Sequence, residues 1–482
     1  MTMQLLSVAS EIYPLVKTGG LADVVGALPA ALASQGVAAR TLVPGYPSVL
    51  ARLGKTKAVR RYDSLFGEKA ALLAAKLDGL DLLVLDAPAF FARDGGPYGG
   101  PDGTDWPDNW RRFAALSRVG ADIAEGAIKD WRPDIVHVHD WQAALTAAYM
   151  RFGPAHAVPK LVTIHNLAFQ GRFAADIFPA LGLPPEAWGV DGVEYYGGVG
   201  YLKAGLVSAD AITTVSPSYA QEIRSPDHGM GLDGLINGRI DRLHGILNGV
   251  DTDIWNPAED PLIPRRFSGR SLGARAGNRR ALEEAFGLDQ DDAPLFIIVS
   301  RLTWQKGMDL MIDAIDHLVG LGGKLALLGS GDRALEGAFL AAADRHRGRI
   351  AARIGYDEPL SHLMQGGGDA ILIPSRFEPC GLTQLYGLRY GCLPVVARVG
   401  GLADTVIDAN DAAVNAGAAT GIVFAPNDPL ALHGAIARTA RLHRDRPIWQ
   451  AMQRAAMRAD VSWTSSAARY AALYRDLLAE AA

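Results

Sequence analysis

The sequence predicts an α/β protein built as two doubly wound domains, each a parallel sheet with helices on both faces. Three observations carry this. The chain has 482 residues, beyond the size at which one hydrophobic core keeps growing. Short apolar runs alternate with helix-length segments over nearly its whole length, the pattern of parallel sheets covered by helices. The pentapeptide Gly-Gly-Leu-Ala-Asp occurs at 19–23 and again at 400–404, once in each half, and reads as the mark of a duplicated fold.

In the first half the strand candidates are 5–9, 39–43, 82–85, 135–138, 161–164 and 211–215; in the second they are 295–299, 325–328, 350–354, 370–373, 395–397 and 422–424. Each is a short apolar run of buried-strand type. Between the halves, 248–277 is rich in Pro, Gly, Asn, Asp and Arg, as expected of a domain junction. We therefore expect a first domain over 1–250, a second over 251–460, and a terminal amphipathic helix within 461–482 that packs back on the first domain. The Gly-, Pro- and Asp-dense segment 95–107 reads as a mobile loop.

Composition excludes several classes. A net charge of −5 and a pI near 6.1 leave no electrostatic footprint for nucleic acid. Two cysteines, Cys380 and Cys392, give no disulfide framework and suit a reducing compartment. The apolar stretch 70–91 is broken by Lys76, Asp78, Asp81 and Asp86, and the first ten residues lack the features of a secretory signal. A cytoplasmic location with no membrane partner is expected. Gly322-Gly323-Lys324 lacks the spacing of a P-loop, no Gly-x-Gly-x-x-Gly follows the first strand, and Gly329-Ser330-Gly331 is not a nucleophile elbow.

In doubly wound sheets ligands bind beyond the carboxyl ends of the strands. Polar residues crowd those positions here. Glu11 and Lys17-Thr18-Gly19-Gly20 follow the first strand; His139-Asp140-Trp141 and His165-Asn166 follow two others; Ser300-Arg301 with Lys306-Gly307, Gly355-Tyr356, and Ser375 to Thr383 do so in the second half. Both pentapeptides set paired glycines between a strand and a helix, where missing Cβ atoms let backbone N–H groups approach a ligand. Two domains facing each other through such edges would make one cleft in which Lys17, Arg301 and Lys306 would converge with few carboxylates, which suits a diphosphate leaving group that gathers negative charge. Glu378, between Phe377 and Cys380, is expected to be partly buried and to need a cationic or hydroxyl partner. His137 and His139 share one strand face, but with Asp140 and His165 they give no closed metal-ligand spacing. Asp251-Thr252-Asp253 reads as a turn.

Several blocks together resemble one family: Lys17-Thr-Gly-Gly-Leu-Ala-Asp23, His137-Val-His-Asp-Trp141, Thr163-Ile-His-Asn-Leu167, Asn248-Gly-Val-Asp251, Ser300-Arg-Leu302 with Lys306-Gly307, and Phe377-Glu-Pro-Cys-Gly-Leu-Thr-Gln-Leu-Tyr386. They look like the blocks of bacterial glycogen synthases and plant starch synthases. The resemblance implies a GT-B fold, two Rossmann-like domains facing across a cleft. It also implies glucosyl transfer from ADP-glucose to the non-reducing end of an α-1,4-glucan such as glycogen, with retention of configuration and neither metal nor cofactor. Block by block, it casts Arg301 and Lys306 as holding the diphosphate, helped by backbone N–H groups near Cys380, Gly381, Leu382 and Thr383. Tyr356 lies against the adenine, Lys17, Gly19 and Gly20 close over the phosphates, and Asp140, His165, Asn166 and Asn248 position glucose and the incoming hydroxyl. Glu378 stands where the family has its essential carboxylate. The second repeat reads Arg398-Val-Gly-Gly rather than Lys-Thr-Gly-Gly, which leaves the role of Arg398 open.

Overall fold

The apolar run at 5–9 forms the central strand of a nine-stranded sheet, and its residues are almost wholly buried. The computed structural model describes residues 2–481. The chain divides into two compact units: one runs to Asn248 and resumes at Trp463, the other is Gly249–Ser462.

The first unit contains β1 (Met3–Val8), β2 (Val37–Pro44), β3 (Lys57–Leu65), β4 (Glu68–Leu77), β5 (Leu80–Asp86), β6 (Ile135–His139) and β7 (Lys160–Ile164). A small antiparallel sheet follows, β8 (Arg172–Phe173), β9 (Glu194–Tyr195) and β10 (Gly198–Gly200), and then β11 (Ala211–Thr214) and β12 (Leu243–Gly245). The large sheet has the order β12-β11-β7-β6-β1-β2-β5-β4-β3. It is parallel from β12 to β5 and antiparallel across β5, β4 and β3. The antiparallel edge was not among the strands expected from sequence. Its β4–β5 turn is Asp78-Gly79, both at positive φ, the two-residue hairpin signal flanked by apolar alternation.

The second unit is an all-parallel sheet of β13 (Leu295–Val299), β14 (Lys324–Gly329), β15 (Ile350–Ile354), β16 (Ala370–Ile373), β17 (Leu393–Ala397) and β18 (Ile422–Phe424). Its order is β15-β14-β13-β16-β17-β18. The sheet therefore runs outward from β13 in one direction, then returns and runs outward the other way. The parallel strands of the first sheet do the same about β1. In each unit the order reverses once, between β1 and β6 or between β13 and β16, and such a switch point opens a crevice at the carboxyl ends of the strands.

This strand order is what the two halves share, and the pentapeptide is not part of it. The first Gly-Gly-Leu-Ala-Asp follows β1, the opening strand of its sheet, whereas the second follows β17, the fifth strand of the other. The copies are not equivalent by topology.

Each unit has its own core. A third cluster lies on one face of the first sheet, where Leu5, Ile135, Leu161 and Ala211 meet Trp463, Ala467, Tyr470, Ala471, Tyr474 and Leu477. The latter six lie on one stripe of the helix Trp463–Ala481, at the spacing of an amphipathic helix. The segment 95–107, expected to be mobile, is tied to the body. Arg112 donates to the Pro97 carbonyl and Asn109 to that of Tyr98, while Gly99 and Asp105 bridge within the segment itself.

Candidate active site

In the second unit the loops leaving β13 and β16 emerge on either side of the switch point and are laced together. Arg376 N–H donates to the Gln305 carbonyl at 2.8 Å, and its guanidinium donates to the Trp304 carbonyl at 2.7 Å and to both oxygens of Asp309. Gln305 Nε2 donates to the Phe377 carbonyl at 3.3 Å. Gly307 lies against the other loop so closely that a Cβ would stand 2.0 Å from the Pro374 carbonyl oxygen. No other residue fits there. This lacing brings the side chains of Lys306 and Glu378 together.

Lys306 Nζ lies 2.5 Å from Glu378 Oε2, and Ser375 Oγ donates to the same oxygen at 3.1 Å. Glu378 is buried and so has both the cationic and the hydroxyl partner that its burial requires. An ammonium has three donors, so Lys306 keeps two for another acceptor. The guanidinium of Arg301, exposed beyond β13, has no partner among the described residues. Cys380 is buried behind Glu378. Gly381 and Leu382 then lead into the helix Thr383–Tyr390, whose N-terminus has no side-chain cap, so its first N–H groups remain available to an anion. Tyr356, after β15, has an exposed ring, and its hydroxyl donates to Glu358 at 2.9 Å.

The second pentapeptide does not open its glycines to a ligand, as had been expected. A Cβ on Gly400 would stand 2.0 Å from the Glu378 carbonyl oxygen, and one on Gly401 would stand 2.3 Å from that of Cys380. Gly401 N–H donates to the carbonyls of Glu378 and Pro379 at 3.1 and 3.2 Å. These glycines seat the loop that carries Glu378. Gln384 holds it from the other side, donating to the carbonyls of Cys380 and Gly381.

In the first unit the pentapeptide is open. Gly19 is an extended N-cap with nothing near its missing Cβ, and Gly20 begins the helix Gly20–Ala33. Lys17 pairs with Asp23 at 2.8 Å. The loop is held from beneath by buried Glu11, which accepts from the Thr18 backbone, from Thr18 Oγ1 at 2.6 Å and from the Tyr98 hydroxyl. Glu11 stands among the polar residues expected beyond the first strand, but its supporting role was not expected, and Tyr98 was not among the expected site residues. The signal for Glu11 was a carboxylate directly after an apolar strand.

Asp140 and His165, at the ends of β6 and β7, are joined by the His165 N–H donating to Asp140 Oδ1 at 2.7 Å. Asp140 adopts φ 56°, a left-handed conformation that costs free energy and tends to occur at functional sites. Burial pushes its carboxyl up to about 7, against the backbone N–H groups of His165 and Asn166 that favour the charged form. Burial drives His165 the other way, down to about 3. Asn166 Oδ1 closes a turn by accepting from Ala168 N–H at 3.0 Å. Asn248 is buried, and its Oδ1 has no partner among the described residues. Asp251 Oδ1 accepts from the Asp253 and Ile254 N–H groups and so forms the expected turn. Among the described residues no three His, Cys, Asp or Glu side chains are grouped to hold a metal ion.

Comparison with known proteins gives this arrangement its context. Residues 4–238 match the family model described as starch synthase catalytic domain, and 280–454 match that of glycosyl transferases group 1. A glycogen synthase of Novosphingobium aromaticivorans is 61% identical over 483 residues, covering all of both chains. The chain belongs to the glycogen synthase family. Another member, from Mesorhizobium japonicum, is 63% identical over 478 residues and 99% of each chain. The catalytic domain of Starch Synthase IV from Arabidopsis thaliana, solved with ADP and acarbose, is 31% identical with a TM-score of 0.89, covering 99% of this chain and 100% of that one. A sucrose-phosphate synthase from Thermosynechococcus elongatus, 17% identical with a TM-score of 0.61, shares the fold alone. This family member is thus a glycosyltransferase of GT-B fold that transfers glucosyl units in glycogen synthesis.

Two predictions follow from the local geometry. Gly401→Ala drives a methyl group into the Cys380 carbonyl, so the Glu378 loop must move. Turnover is expected to fall at least about tenfold for an overpacking of roughly 1–3 kcal/mol; wild-type turnover with an unchanged melting temperature would show that the loop does not need this seat. The folded Asp140 carboxyl keeps its proton up to about pH 7, whereas the unfolded one releases it near 3.8. Its contribution to stability therefore falls as pH rises through that window and stays low above it. Asp140→Asn keeps an acceptor for His165 N–H and tolerates positive φ. It is expected to raise the melting temperature at pH 8, by about 2–4 °C for each kcal/mol relieved, and by less at pH 5. An equal gain at both would rule out the carboxyl charge as the cause.

Proposed function

We propose that the donor is ADP-glucose, that the acceptor is the non-reducing end of an α-1,4-glucan, that configuration is retained, and that the enzyme works in the cytoplasm. The observation that carries the reading is the Lys306–Glu378 pair at the switch point of the second sheet, beside an uncapped helix start. The ADP in the Arabidopsis relative supports the choice of base. Two buried cysteines that form no disulfide suit a reducing compartment, and among the described residues no helix is long and apolar enough to cross a membrane.

In this reading the bond between glucose C1 and the diphosphate breaks while charge accumulates on the departing phosphate. Arg301, Lys306 and the N–H groups around Leu382 and Thr383 stabilise that charge. Lys17, with the open backbone at Gly19 and Gly20, adds to the grip. The acceptor hydroxyl bonds to C1 on the face the phosphate leaves, and a phosphate oxygen takes its proton. Glu378 holds Lys306 in place, and its carboxylate offsets positive charge developing on the sugar ring. Asp140, His165, Asn166 and Asn248 orient glucose and the incoming hydroxyl, and Tyr356 offers its exposed ring to the adenine.

Purified protein with radiolabelled ADP-glucose or UDP-glucose and a glycogen primer tests this. Incorporation is expected from ADP-glucose, with α-linked product and dependence on primer; preference for UDP-glucose would overturn the donor assignment. Lys306→Ala is expected to lose about 2–4 kcal/mol of transition-state stabilisation, read from kcat/KM. Wild-type turnover in that variant would remove Lys306 from the site.

A further inference from the structure

The face of the first sheet that lies under the helix Trp463–Ala481 changes character along its strands. Ile135, Leu161 and Ala211 are apolar and meet the helix. Two residues further along each strand stand His137, Thr163 and Thr213, joined in one chain. The Tyr474 hydroxyl lies 2.8 Å from His137 Nδ1, His137 Nε2 lies 2.5 Å from Thr163 Oγ1, and Thr163 Oγ1 lies 2.5 Å from Thr213 Oγ1. All three residues are fully buried. Two residues further still are His139 and His165, at the carboxyl edge, with His139 Nδ1 3.0 Å from His165 Nε2.

His139 has little freedom. It is 1% exposed, and its ring lies against that of His137, with centroids 4.1 Å apart. His137 is in turn fixed at both nitrogens by Tyr474 and Thr163. The ring of His165 is held differently from its backbone. Asp140 takes the backbone N–H of His165, while the only hydrogen bond of its imidazole among the described residues is the one it shares with His139. Burial keeps both rings neutral. Two neutral imidazoles in contact share one hydrogen, so the state of one ring sets that of the other. When His165 Nε2–H donates to His139 Nδ1, both rings carry their proton on Nε2, the ordinary tautomer of neutral histidine.

We propose that His139 is a positioning residue: by accepting from His165 Nε2–H it fixes the rotation and the tautomer of His165, leaving His165 Nδ1 as a bare acceptor for a hydroxyl of the sugar. This rests on the reading of His165 as a group that orients glucose. The rigid support runs from the terminal helix through Tyr474 and His137 to His139. No proton need travel along it.

The test uses the full chain labelled with 15N-histidine, with the His165 signals assigned by their loss in His165→Ala. In the wild type, His165 is expected to show a protonated Nε2 and an unprotonated Nδ1 across neutral pH, a measurement that needs no substitution at position 139. In His139→Phe that signature is expected to give way to mixed tautomers, with kcat falling about 10- to 100-fold, the cost of a misplaced orienting group, and the KM for ADP-glucose within about twofold. His139→Asn, whose amide oxygen stands near the position of Nδ1, is expected to restore the single tautomer and most of kcat. A protonated Nδ1 in the wild type, an unchanged His165 signature in His139→Phe, or wild-type kcat in that variant would overturn the proposal. Full activity in His165→Ala would instead overturn the underlying role of His165, and the tautomer measurement would stand apart from it.

Discussion

The constraint on which the candidate site depends is the crossing of two loops at the carboxyl edge of the second sheet, where Gly307 meets the Pro374 carbonyl and Arg376 grips Asp309. Strand order alone brings the ends of β13 and β16 side by side. It does not bring an ammonium onto a carboxylate. That needs the loops locked at a spacing only a glycine permits, because an ion pair loses much of its value within an ångström or two of misplacement. Once locked, Lys306 and Glu378 satisfy each other's burial, and the cation retains donors for a phosphate. Arg301, without such a partner, stays an exposed charge on the same edge.

Support for this loop comes from a distance in sequence. The glycines of the second pentapeptide lie beneath Glu378 and Cys380, and Gln384 ties the loop to the helix that follows. The first pentapeptide, with the same five residues, has open space at Gly19 and a buried carboxylate below it. The difference lies in what each copy is packed against. A glycine pair supplies room, and the fold decides whether a ligand or the chain itself fills it.

Much of this was legible in the sequence. All twelve apolar runs proposed as strands coincide with strands of the structure, two of them running one residue past the strand end, since fully buried parallel strands read as continuous apolar segments. The polar residues just beyond them were legible for the same reason, and so was the need of Glu378 for a partner. The hairpin β3–β4 was missed because β3 is mostly exposed and polar and β4 mixes buried with half-buried residues, although Asp78-Gly79 marks its far turn. Tyr98, the support that Glu11 gives the loop above it, and the sealing role of Gly400 and Gly401 were hidden for another reason. They depend on contacts between segments far apart in sequence, as with Tyr98 and Glu11, and no local pattern records which segments meet. Segment 95–107 had the composition of a free loop, and a few side chains reaching back to its carbonyls hold it.

The helix Trp463–Ala481 covers a face of the sheet whose strands begin at Met3. During synthesis that face forms long before the helix exists, and the whole of Gly249–Ser462 is made in between. Until the helix arrives, Leu5, Ile135, Leu161 and Ala211, together with the buried His137, stay open to water. The first unit is therefore the last to be completed, although its sheet is the first to be translated, and it waits unsealed while the second unit is made. For a nascent chain, that interval is the time in which an uncovered apolar face most needs shielding.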